Sequence, residues 1–566
     1  MSGEPTLDRA RAWLAQDPDG DTRAELRALL ERADDGDADA RADLDDRFDG
    51  RLAFGTAGLR GELGAGSNRM NRVLVAQAAA GLAAYLREKA SEGRDPVVVI
   101  GYDGRRNSAV FARDSAELFA GAGLRPILLP RMLPTPVLAF AVRHLSADAG
   151  VMVTASHNPP NDNGYKVYLG GVDDGSQIVT PADTEIAAHI RRVAETSTVG
   201  ELPRSFAHET AAEAVIDAYV SATAAVAPAP DGARDLNWVY TAMHGVGWET
   251  LSRIVDTAGY PAPTTVEAQT EPDGAFPTVA FPNPEEPGAM DLAYETARAR
   301  GAELIVANDP DADRLAVAIP DDDAPGGWRR LTGNQVGLLL GWRAARLWNE
   351  TRVGEADAAP AASLACSLVS SPALQTVAEH YGLQFHATLT GFKWISRAPG
   401  LIYGFEEALG YLVNPGIVRD KDGISAAIAL LGMVCEARGA GRTLADLLDE
   451  FDRTFGYVES DQISLRVDDV ALIGTIMAAL RDRRPEHLGD TAVSRFEDLL
   501  EAEGDAPSGD VLRLWLDDGS RVIVRPSGTE PKLKVYLDVQ GPSAKKTRRR
   551  RETHAASIRA LLEDLQ

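Results

Sequence analysis

Cysteine is almost absent from this sequence, since only Cys366 and Cys435 occur among its 566 residues. Both lie among apolar or small residues, which argues against a disulfide framework and favours a reducing compartment. Long apolar runs are also missing, because each run is interrupted well before the roughly 20 residues that a membrane-spanning helix requires. The first residues are polar and lack the pattern of a signal peptide. We therefore expect a cytoplasmic protein that does not associate with a membrane.

Positive charge is in short supply as well. The chain carries 58 Lys and Arg residues against 84 Asp and Glu residues, which leaves a formal net charge of -26 at pH 7. This balance disfavours nonspecific binding to nucleic acid or to an anionic membrane surface. In so acidic a chain, the basic run at 545–551 is better explained as a solvated face of the last helix than as a nucleic-acid site. An anionic substrate would need a locally basic cleft.

Strands and helices alternate over most of the chain. The apolar run Val97–Ile100 leads into the turn "GYDGRRNS" and then into a helical pattern, and the same succession recurs at Trp238–Gly259 and Ser363–Gly382. Such alternation is typical of an α/β architecture. With 45% hydrophobic residues, the chain can also bury the cores of several domains.

The pattern predicts three serial α/β domains with mixed sheets, followed by a C-terminal α+β domain. Helical periodicity marks the first 50 residues, and alternating strands such as Gln462–Val467 and Val511–Leu516 follow Phe455. The predicted segments are an N-terminal helical extension at 1–50 and domains at 51–205, 206–331, 332–454 and 455–566.

A serine stands in a tight polar turn directly after an apolar strand. The strand Val151–Val153 runs into "TASHNP", and Ser156 lies at the tip of the turn. A hydrolase serine needs an oriented base, and neighbouring side chains of a strand point to opposite faces, so His157 cannot be assumed to be that base. The flanks also lack the G-x-S-x-G pattern. By itself, a turn serine that satisfies its own backbone is the simpler interpretation.

Three carboxylates alternate in the stretch "DPDADR", which follows the apolar strand Leu304–Ala307. An EF-hand loop is rejected, because Arg314 stands where that loop needs glycine and Pro320 where it needs glutamate. A solvated acidic turn is disfavoured by the apolar strands on both sides. Crowded carboxylates repel one another unless a cation neutralises them, and oxygen ligands indicate Mg²⁺ rather than zinc. The predicted ligands are Asp309, Asp311 and Asp313.

Three further loops carry groups suited to a phosphorylated sugar. "RPSGTEPK" at 525–532 combines an arginine fork with hydroxyls and a glycine, which is a good phosphate cradle. "GFEEALGY" at 404–411 offers the acceptors Glu406 and Glu407 to sugar hydroxyls, and "TGFK" at 390–393 adds a hydroxyl and a cation. Taken singly, each loop could equally be an ordinary exposed turn.

Together these stretches resemble the α-D-phosphohexomutase superfamily, the phosphoglucomutases and phosphomannomutases. The resemblance covers nearly the whole chain after about residue 50, and the motifs occur in the order of that family. The motifs "ANDPDADRLAV", "FPNPEEPG" and "KDGISAA" look most like those of the subgroup that includes eukaryotic phosphopentomutases and bisphosphate-sugar synthases. The resemblance implies four domains around a central cleft, with one loop from each domain.

The resemblance also implies a role for each candidate residue. Ser156 matches the phosphoserine, Lys166 the proposed general base, and Arg60 a cation beside the transferring group, with His157 assisting at the phosphoserine. The implied Mg²⁺ ligands are a phosphoserine oxygen of Ser156 and the carboxylates of Asp309, Asp311 and Asp313. The implied substrate-binding residues are Arg314, Thr390, Lys393, Glu406, Lys421, Arg525, Ser527, Gly528 and Thr529.

The resulting prediction is a Mg²⁺-dependent phosphosugar mutase that interconverts sugar 1-phosphate and sugar 6-phosphate, with a sugar bisphosphate as activator. Ala408 stands where hexose-specific relatives have serine, so phosphopentomutase and sugar-bisphosphate synthase stay open as alternatives. A phosphatase is disfavoured because a mutase needs the second phosphate anchor at 525–529. A noncatalytic sugar-phosphate binding protein would explain that anchor but not the serine and aspartates. The sequence does not indicate an oligomeric state.

Overall fold

The computed structural model describes residues 4–56, 58–351, 361–467, 471–501, 509–527 and 532–565. Its contacts divide the chain into two units, Met1–Leu331 with Gly410–Glu436 and Thr332–Leu409 with Ala437–Gln566. The first unit begins with helices α1 (Glu4–Gln16), α2 (Gly20–Asp34) and α3 (Ala38–Phe48). Asp19 and Asp37 cap the second and third of these, because each carboxylate accepts hydrogen bonds from free backbone N–H groups.

The first sheet is mixed, and two of its strands, Ala149–Val153 and Asp162–Leu169, flank the turn at 154–161 that carries Ser156, the serine loop. Its elements are β1 (Leu59–Glu62), α4 (Arg72–Lys89), β2 (Val97–Tyr102), α5 (Ser108–Gly121), β3 (Arg125–Leu128), α6 (Thr135–His144), β4 (Ala149–Val153), β5 (Asp162–Leu169), β6 (Ser176–Gln177), α7 (Ala182–Thr196) and β7 (Glu209–Thr210). The strand order is β1-β5-β4-β2-β3-β7, and β6 pairs with β5. Strands β4, β2, β3 and β7 are parallel, whereas β5 runs antiparallel to β4 and β1.

The second sheet, also in the first unit, carries the loop at 309–314 with the three aspartates, the aspartate loop. Its elements are α8 (Glu213–Ala224), β8 (Trp238–Thr241), α9 (Gly247–Ala258), β9 (Thr264–Thr265), α10 (Asp291–Arg300), β10 (Leu304–Asn308), β11 (Leu315–Pro320) and β12 (Trp328–Arg330), in the strand order β12-β11-β10-β8-β9. Strand β10 is parallel to β8 and forms an antiparallel hairpin with β11. All five residues of β10 are buried, as an apolar strand covered on both faces requires.

The second unit contains a parallel and an antiparallel sheet. The next elements are α11 (Gly333–Thr351), β13 (Ser363–Ser367), α12 (Ala373–His380), β14 (Gln384–Thr388), α13 (Phe392–Ile395) and β15 (Leu401–Glu406), and β13 lies parallel to both β14 and β15. Strand β16 (Gly410–Leu412) lies in the first unit, where helix α14 (Gly423–Gly439) also begins. Helix α15 (Leu444–Phe455) follows, with the capping box of Thr443 and Asp446 at its start.

The last part of the second unit is an antiparallel sheet with two helices. Its elements are β17 (Tyr457–Arg466), α16 (Ala471–Asp482), β18 (His487–Leu488), β19 (Thr491–Asp498), β20 (Leu512–Leu516), β21 (Arg521–Pro526), β22 (Lys532–Gly541) and α17 (Ala544–Asp564), in the strand order β17-β22-β21-β20-β19-β18. Apolar residues of α16 and α17, such as Ile476 and Ile558, share one core with this sheet. The basic run lies on α17, where Arg550 pairs with Asp518 and Arg551 with Glu459.

The predicted fold class is confirmed: α/β domains with mixed sheets precede a C-terminal α+β domain. The individual domain boundaries stay predictions. Among the described residues, no single helix is long and apolar enough to cross a membrane, and only α14 and α15 taken together pass such a test of length and composition.

Candidate active site

Ser156 lies just beyond the end of β4 in a left-handed backbone conformation, with φ of +53°. Its N–H donates to Thr154 Oγ1 at 2.8 Å, which closes the turn. A residue other than glycine in this region costs about 1–3 kcal/mol and persists only where the surroundings enforce it. The turn is therefore held by contacts beyond its own sequence.

The left-handed turn brings the Ser156 hydroxyl to two polar groups. Ser156 Oγ donates to Asp309 Oδ2 at 2.9 Å and lies 3.3 Å from His157 Nδ1. Alternation along a strand would point Ser156 and His157 apart, but the chain at Ser156 is not extended, so the two side chains meet. Burial lowers the pKa of His157 well below its ordinary value, and the charges of Arg314 and Arg60 act in the same direction.

The three aspartates of "DPDADR" converge at the tip of the β10–β11 hairpin. One carboxylate oxygen from each of Asp309, Asp311 and Asp313 lies within 4.8 Å of the others, and all three residues are fully buried. Ala312 between them has φ of +55°, which turns the loop back on itself. Alternate spacing and this bend put three negative groups on one side of the loop.

The aspartates differ in their electrostatic surroundings. Burial raises the pKa of Asp309 well above its ordinary value, and the neighbouring carboxylates of Asp311 and Asp313 raise it further. Burial would raise the pKa of Asp311 too, but the ammonium group of Lys166 and the hydroxyl of Thr135 outweigh it and hold this pKa below its ordinary range. The cluster thus needs positive charge to stay ionised.

Two lysines that are distant in sequence and the neighbouring Arg314 supply that charge. Lys166 Nζ on β5 donates to Asp311 Oδ2 and to Asp313 Oδ2, each at 2.8 Å. Lys421 Nζ lies 3.1 Å from Asp313 Oδ2. Arg314 Nε is 3.9 Å from Asp309 Oδ2 and 3.8 Å from Asp313 Oδ1. Lys421, predicted from the resemblance to bind the sugar, thus also contacts the aspartate cluster.

The donor set fits a hard divalent cation. Asp311 Oδ1 and Asp313 Oδ1 are buried and have no hydrogen-bond partner among the described residues. Orphaned carboxylate oxygens are costly in a protein interior unless a cation binds them. Oxygen donors alone suit Mg²⁺. Asp309, Asp311 and Asp313 are therefore suited to hold a metal ion, with the Ser156 oxygen beside them.

Three residues that the sequence analysis did not assign also shape this site. Thr135 Oγ1 donates to Asp311 Oδ2 at 2.6 Å, and Asn308 Nδ2 donates to the carbonyl of Arg314 at 2.6 Å. Arg105 donates to several carbonyls of the serine loop. Arg105 and Asn308 lie in stretches that the sequence singles out, "GYDGRRNS" after a strand and "ANDPDADRLAV", whereas Thr135 had no such signal.

Arg60 lies on β1, opposite Gly164 of β5. Its Nη1 donates to Asn158 Oδ1 at 3.3 Å, so the predicted cation contacts the serine loop. Burial lowers the pKa of Arg60, although the charges of Asp311 and Asp313 oppose this effect.

The remaining predicted residues lie in the second unit. Glu406 is buried at the end of β15, and Thr390 and Lys393 lie around the start of α13. The neighbouring Glu407 accepts hydrogen bonds at Oε2 from Ser367 Oγ at 3.1 Å and Ser370 Oγ at 3.0 Å. This anchors the loop through Glu407, and the sugar contact at Glu406 stays a prediction.

The phosphate loop is described only at its base. Arg525 lies on β21 opposite Lys534 of β22, and Ser527 N–H donates to the carbonyl of Lys532 at 2.8 Å. Gly528 and Thr529, which the sequence analysis assigned to this loop, lie outside the described residues.

Comparison with known families accounts for most of the chain. Models of the phosphoglucomutase/phosphomannomutase alpha/beta/alpha domains I, II and III match residues 51–197, 217–323 and 332–454, and the model of the C-terminal domain matches 481–556. The order of the matches is the order expected from the four loops.

Full-length relatives agree with these matches. The chain is 54% identical over 476 residues to a probable phosphomannomutase from Haemophilus influenzae, covering 84% of this chain and 94% of the relative. It is 34% identical over 565 residues to a probable phosphoribomutase from Schizosaccharomyces pombe, covering 94% and 93%. A solved phosphoglucomutase/phosphomannomutase family protein from Burkholderia thailandensis has a TM-score of 0.66 at 20% identity, covers 90% of this chain and 97% of its own, and supports the fold alone.

Proposed function

The chain belongs to the phosphoglucomutase/phosphomannomutase family, and we propose that it interconverts sugar 1-phosphate and sugar 6-phosphate through a phosphoserine at Ser156. It is a sugar phosphate mutase, an isomerase that acts as an intramolecular phosphotransferase on small phosphosugars. The observation that carries the serine assignment is the 2.9 Å contact between Ser156 Oγ and Asp309 Oδ2, within a buried cluster of carboxylates and cations.

The proposed reaction has two phosphoryl transfers. In the first, the bond between the Ser156 oxygen and phosphorus breaks while the free hydroxyl of the sugar forms a bond to the same phosphorus. Lys166, which the family resemblance assigns as the base and which is an ammonium donor to Asp311 and Asp313, gives a proton to the departing Ser156 oxygen and takes up the proton of the sugar hydroxyl. The product is a sugar bisphosphate. In the second, Ser156 Oγ forms a bond to the phosphorus of the other phosphate while the bond from that phosphorus to the sugar oxygen breaks. The proton of the Ser156 hydroxyl passes to the released sugar oxygen, so that the sugar leaves with its phosphate moved and no phosphate is lost to water.

The balance of charges in the site supports the roles proposed for these residues. A phosphoserine adds about -1.5 to -2 to the -3 of the aspartates. Asp309, Asp311 and Asp313 would hold Mg²⁺, which when bound supplies electrostatic stabilisation to the transferring phosphoryl oxygens. The remaining excess of negative charge is met by Lys166, Lys421 and the guanidinium groups of Arg60 and Arg314. These cations would stabilise the charge that spreads over the phosphoryl group during transfer.

The preferred sugar is proposed to be a hexose, with a pentose as the second candidate. The 54% identity to a probable phosphomannomutase favours a hexose phosphate. The alternative rests on Ala408, which offers no hydroxyl where hexose-specific relatives have serine, and on the likeness to a probable phosphoribomutase. A sugar bisphosphate is the expected activator, because it can phosphorylate Ser156.

The test of this proposal is the phosphorylation and replacement of Ser156. Intact mass and peptide mapping of the purified protein should find phosphate on Ser156 in part of the molecules, increased by glucose 1,6-bisphosphate. Ser156→Ala should lower mutase activity by at least about four orders of magnitude, since residues acting as a catalytic unit fail together. Stable phosphate on another residue, with an active Ser156→Ala enzyme, would overturn the assignment.

A panel of hexose and pentose 1-phosphates, assayed with a bisphosphate and Mg²⁺, identifies the substrate. Turnover without release of phosphate is expected. Net phosphate release would indicate a phosphatase, and binding without turnover would indicate a noncatalytic protein.

A further inference from the structure

The side chain of Arg105 forms hydrogen bonds with four backbone carbonyls in and next to the serine loop. Its Nη2 donates to the carbonyls of Ser156 at 2.7 Å and Asn158 at 2.5 Å, and its Nη1 donates to those of Pro159 at 2.8 Å and Asp162 at 3.1 Å. The side chain is completely buried. One guanidinium group therefore binds carbonyl oxygens along the whole turn, from the serine to the start of β5.

The guanidinium group is itself held from two sides. Asp103 Oδ2 lies 3.6 Å from Arg105 Nε of the guanidinium group, while Asp103 Oδ1 accepts hydrogen bonds from the backbone N–H of Arg105 at 3.0 Å and from Ser108 Oγ at 2.7 Å. The ring of Phe276 lies 5.0 Å from the guanidinium carbon. The Asp103 carboxylate compensates the buried charge, and this arrangement fixes the plane of the fork.

The position of this fork bears directly on the serine. The carbonyl of Ser156 belongs to the peptide that follows the left-handed residue, so its hydrogen bond to Arg105 fixes the direction in which the chain leaves Ser156. That direction determines whether Ser156 Oγ faces Asp309. A lysine at position 105 could not replace this contact, because its single ammonium group lacks the planar, multidentate donor geometry.

We propose that Arg105 is a positioning residue, which holds the serine loop in the left-handed conformation that points the Ser156 oxygen at the aspartate cluster. The inference rests on the proposed role of Ser156 as the phosphoryl carrier. In the described hydrogen bonds, the guanidinium group of Arg105 donates only to backbone carbonyls, and it acts on the reaction through the loop.

The first test compares Arg105→Lys with Arg106→Lys, since Arg106 is the exposed neighbour and keeps its backbone contact with Asn163. Arg105→Lys should lower kcat about 100-fold, the loss expected when a reacting group is misplaced by about 1 Å. KM for the sugar phosphate should change less than about threefold, because the phosphate and sugar loops are unaltered. Arg106→Lys should match the wild type. A general loss of folding would lower thermal stability and disturb both constants.

Two further measurements report on the loop itself. Hydrogen exchange at the peptide spanning 154–162 should be faster in Arg105→Lys and unchanged in Arg106→Lys. Arg105→Ala should regain kcat when guanidinium ion is added at millimolar concentration, and urea at equal concentration should not restore it. If Arg105→Lys fails to fold, Asp103→Asn carries the test, because it keeps the arginine and removes its charged partner.

The outcomes separate this inference from the proposed function. Wild-type kcat, unchanged exchange in Arg105→Lys and no rescue by guanidinium would overturn the role of Arg105 while phosphate on wild-type Ser156 still supports the mutase. Absence of phosphate on Ser156 in an active wild type would instead overturn the phosphoserine, and altered loop exchange would then mark Arg105 as a support of the fold alone.

Discussion

The serine loop and the aspartate loop of the first unit are similar in backbone but are held in place by different contacts. Each follows the C-terminal end of a buried strand, β4 or β10, and each contains a residue other than glycine with positive φ, Ser156 at +53° and Ala312 at +55°. The serine loop is held by hydrogen bonds to the buried guanidinium of Arg105. The carboxylates of the aspartate loop are bound by Lys166 and Thr135, and its backbone also packs closely against glycines.

The aspartate loop packs closely against Gly245, in the turn before α9, and against Gly247, the first residue of that helix. A Cβ on Gly245 would lie 2.3 Å from the Cα and carbonyl oxygen of Pro310, and one on Gly247 would lie 3.2 Å from Ala312 Cβ. Val246 N–H also donates to the Pro310 carbonyl at 2.8 Å. The comparison teaches that the nucleophile is positioned through hydrogen bonds to its backbone, whereas the mutually repelling carboxylates are kept together by cations that bind them directly and by close packing of their loop.

The largest effect is expected from removing a charge of the aspartate loop. Asp309→Asn, Asp311→Asn and Asp313→Asn each keep the size of the side chain but take away an anionic ligand. Each should raise the Mg²⁺ concentration for half-maximal activity at least about 100-fold, because the cation loses a charged ligand. Binding of Mn²⁺ followed by electron paramagnetic resonance should weaken in parallel. Unchanged metal dependence in all three variants would contradict a single site.

The next effect should come from Gly245→Ala. This change disturbs the packing of the aspartate loop and leaves the Arg105 hydrogen bonds of the serine loop intact. The added methyl group must displace the Pro310 backbone, and such overpacking costs about 1–3 kcal/mol of stability. We expect weaker Mn²⁺ binding together with unchanged hydrogen exchange in the serine loop. Gly200→Ala, at a position without positive φ and with nothing within 4 Å of the added methyl group, is the control for adding a methyl at a glycine. Equal damage to both loops would show that they are not held independently.

A smaller effect is expected from Thr135→Val, which removes one hydrogen bond from Asp311. Asp311 Oδ2 keeps its bond to Lys166, so the carboxylate stays paired. Residues that orient a metal ligand typically contribute 10–100-fold to metal affinity, and we expect a loss of about tenfold. Mn²⁺ titration measures it, with Thr135→Ser as the control that retains the hydroxyl. No loss in the valine variant, or the same loss in serine, would show that this hydroxyl does not orient Asp311.

The smallest effect should come from Ala408→Ser, a change outside both loops. A neutral hydrogen bond contributes about 0.5–1.5 kcal/mol, which corresponds to about 2- to 13-fold in selectivity. We expect kcat/KM to shift by this factor toward glucose 1-phosphate over ribose 1-phosphate, with the metal dependence unchanged. A shift toward ribose 1-phosphate, or no shift, would show that position 408 does not contact the sugar.

Much of the local structure was predictable from local pattern. The apolar runs at 97–100, 151–153 and 304–307 are strands, and the polar turns after the last two carry Ser156 and the three aspartates. Alternate spacing of Asp309, Asp311 and Asp313 predicted a cluster, which the structure contains. Apolar strands, turns and crowded charges are short-range features, so a few neighbouring residues suffice to encode them.

The sequence by itself thus determined the α/β class, the place of the serine turn and the spacing of the carboxylates. Only the tertiary structure decided which residues complete them. The backbone of Ser156 is left-handed although serine has no local preference for it, and Arg105, which donates to its carbonyl, lies 51 residues earlier. Lys166 reaches Asp313 across 147 residues of chain. Such contacts depend on how strands pair and sheets pack. A short stretch of sequence does not specify which distant residue will contact it in the folded protein.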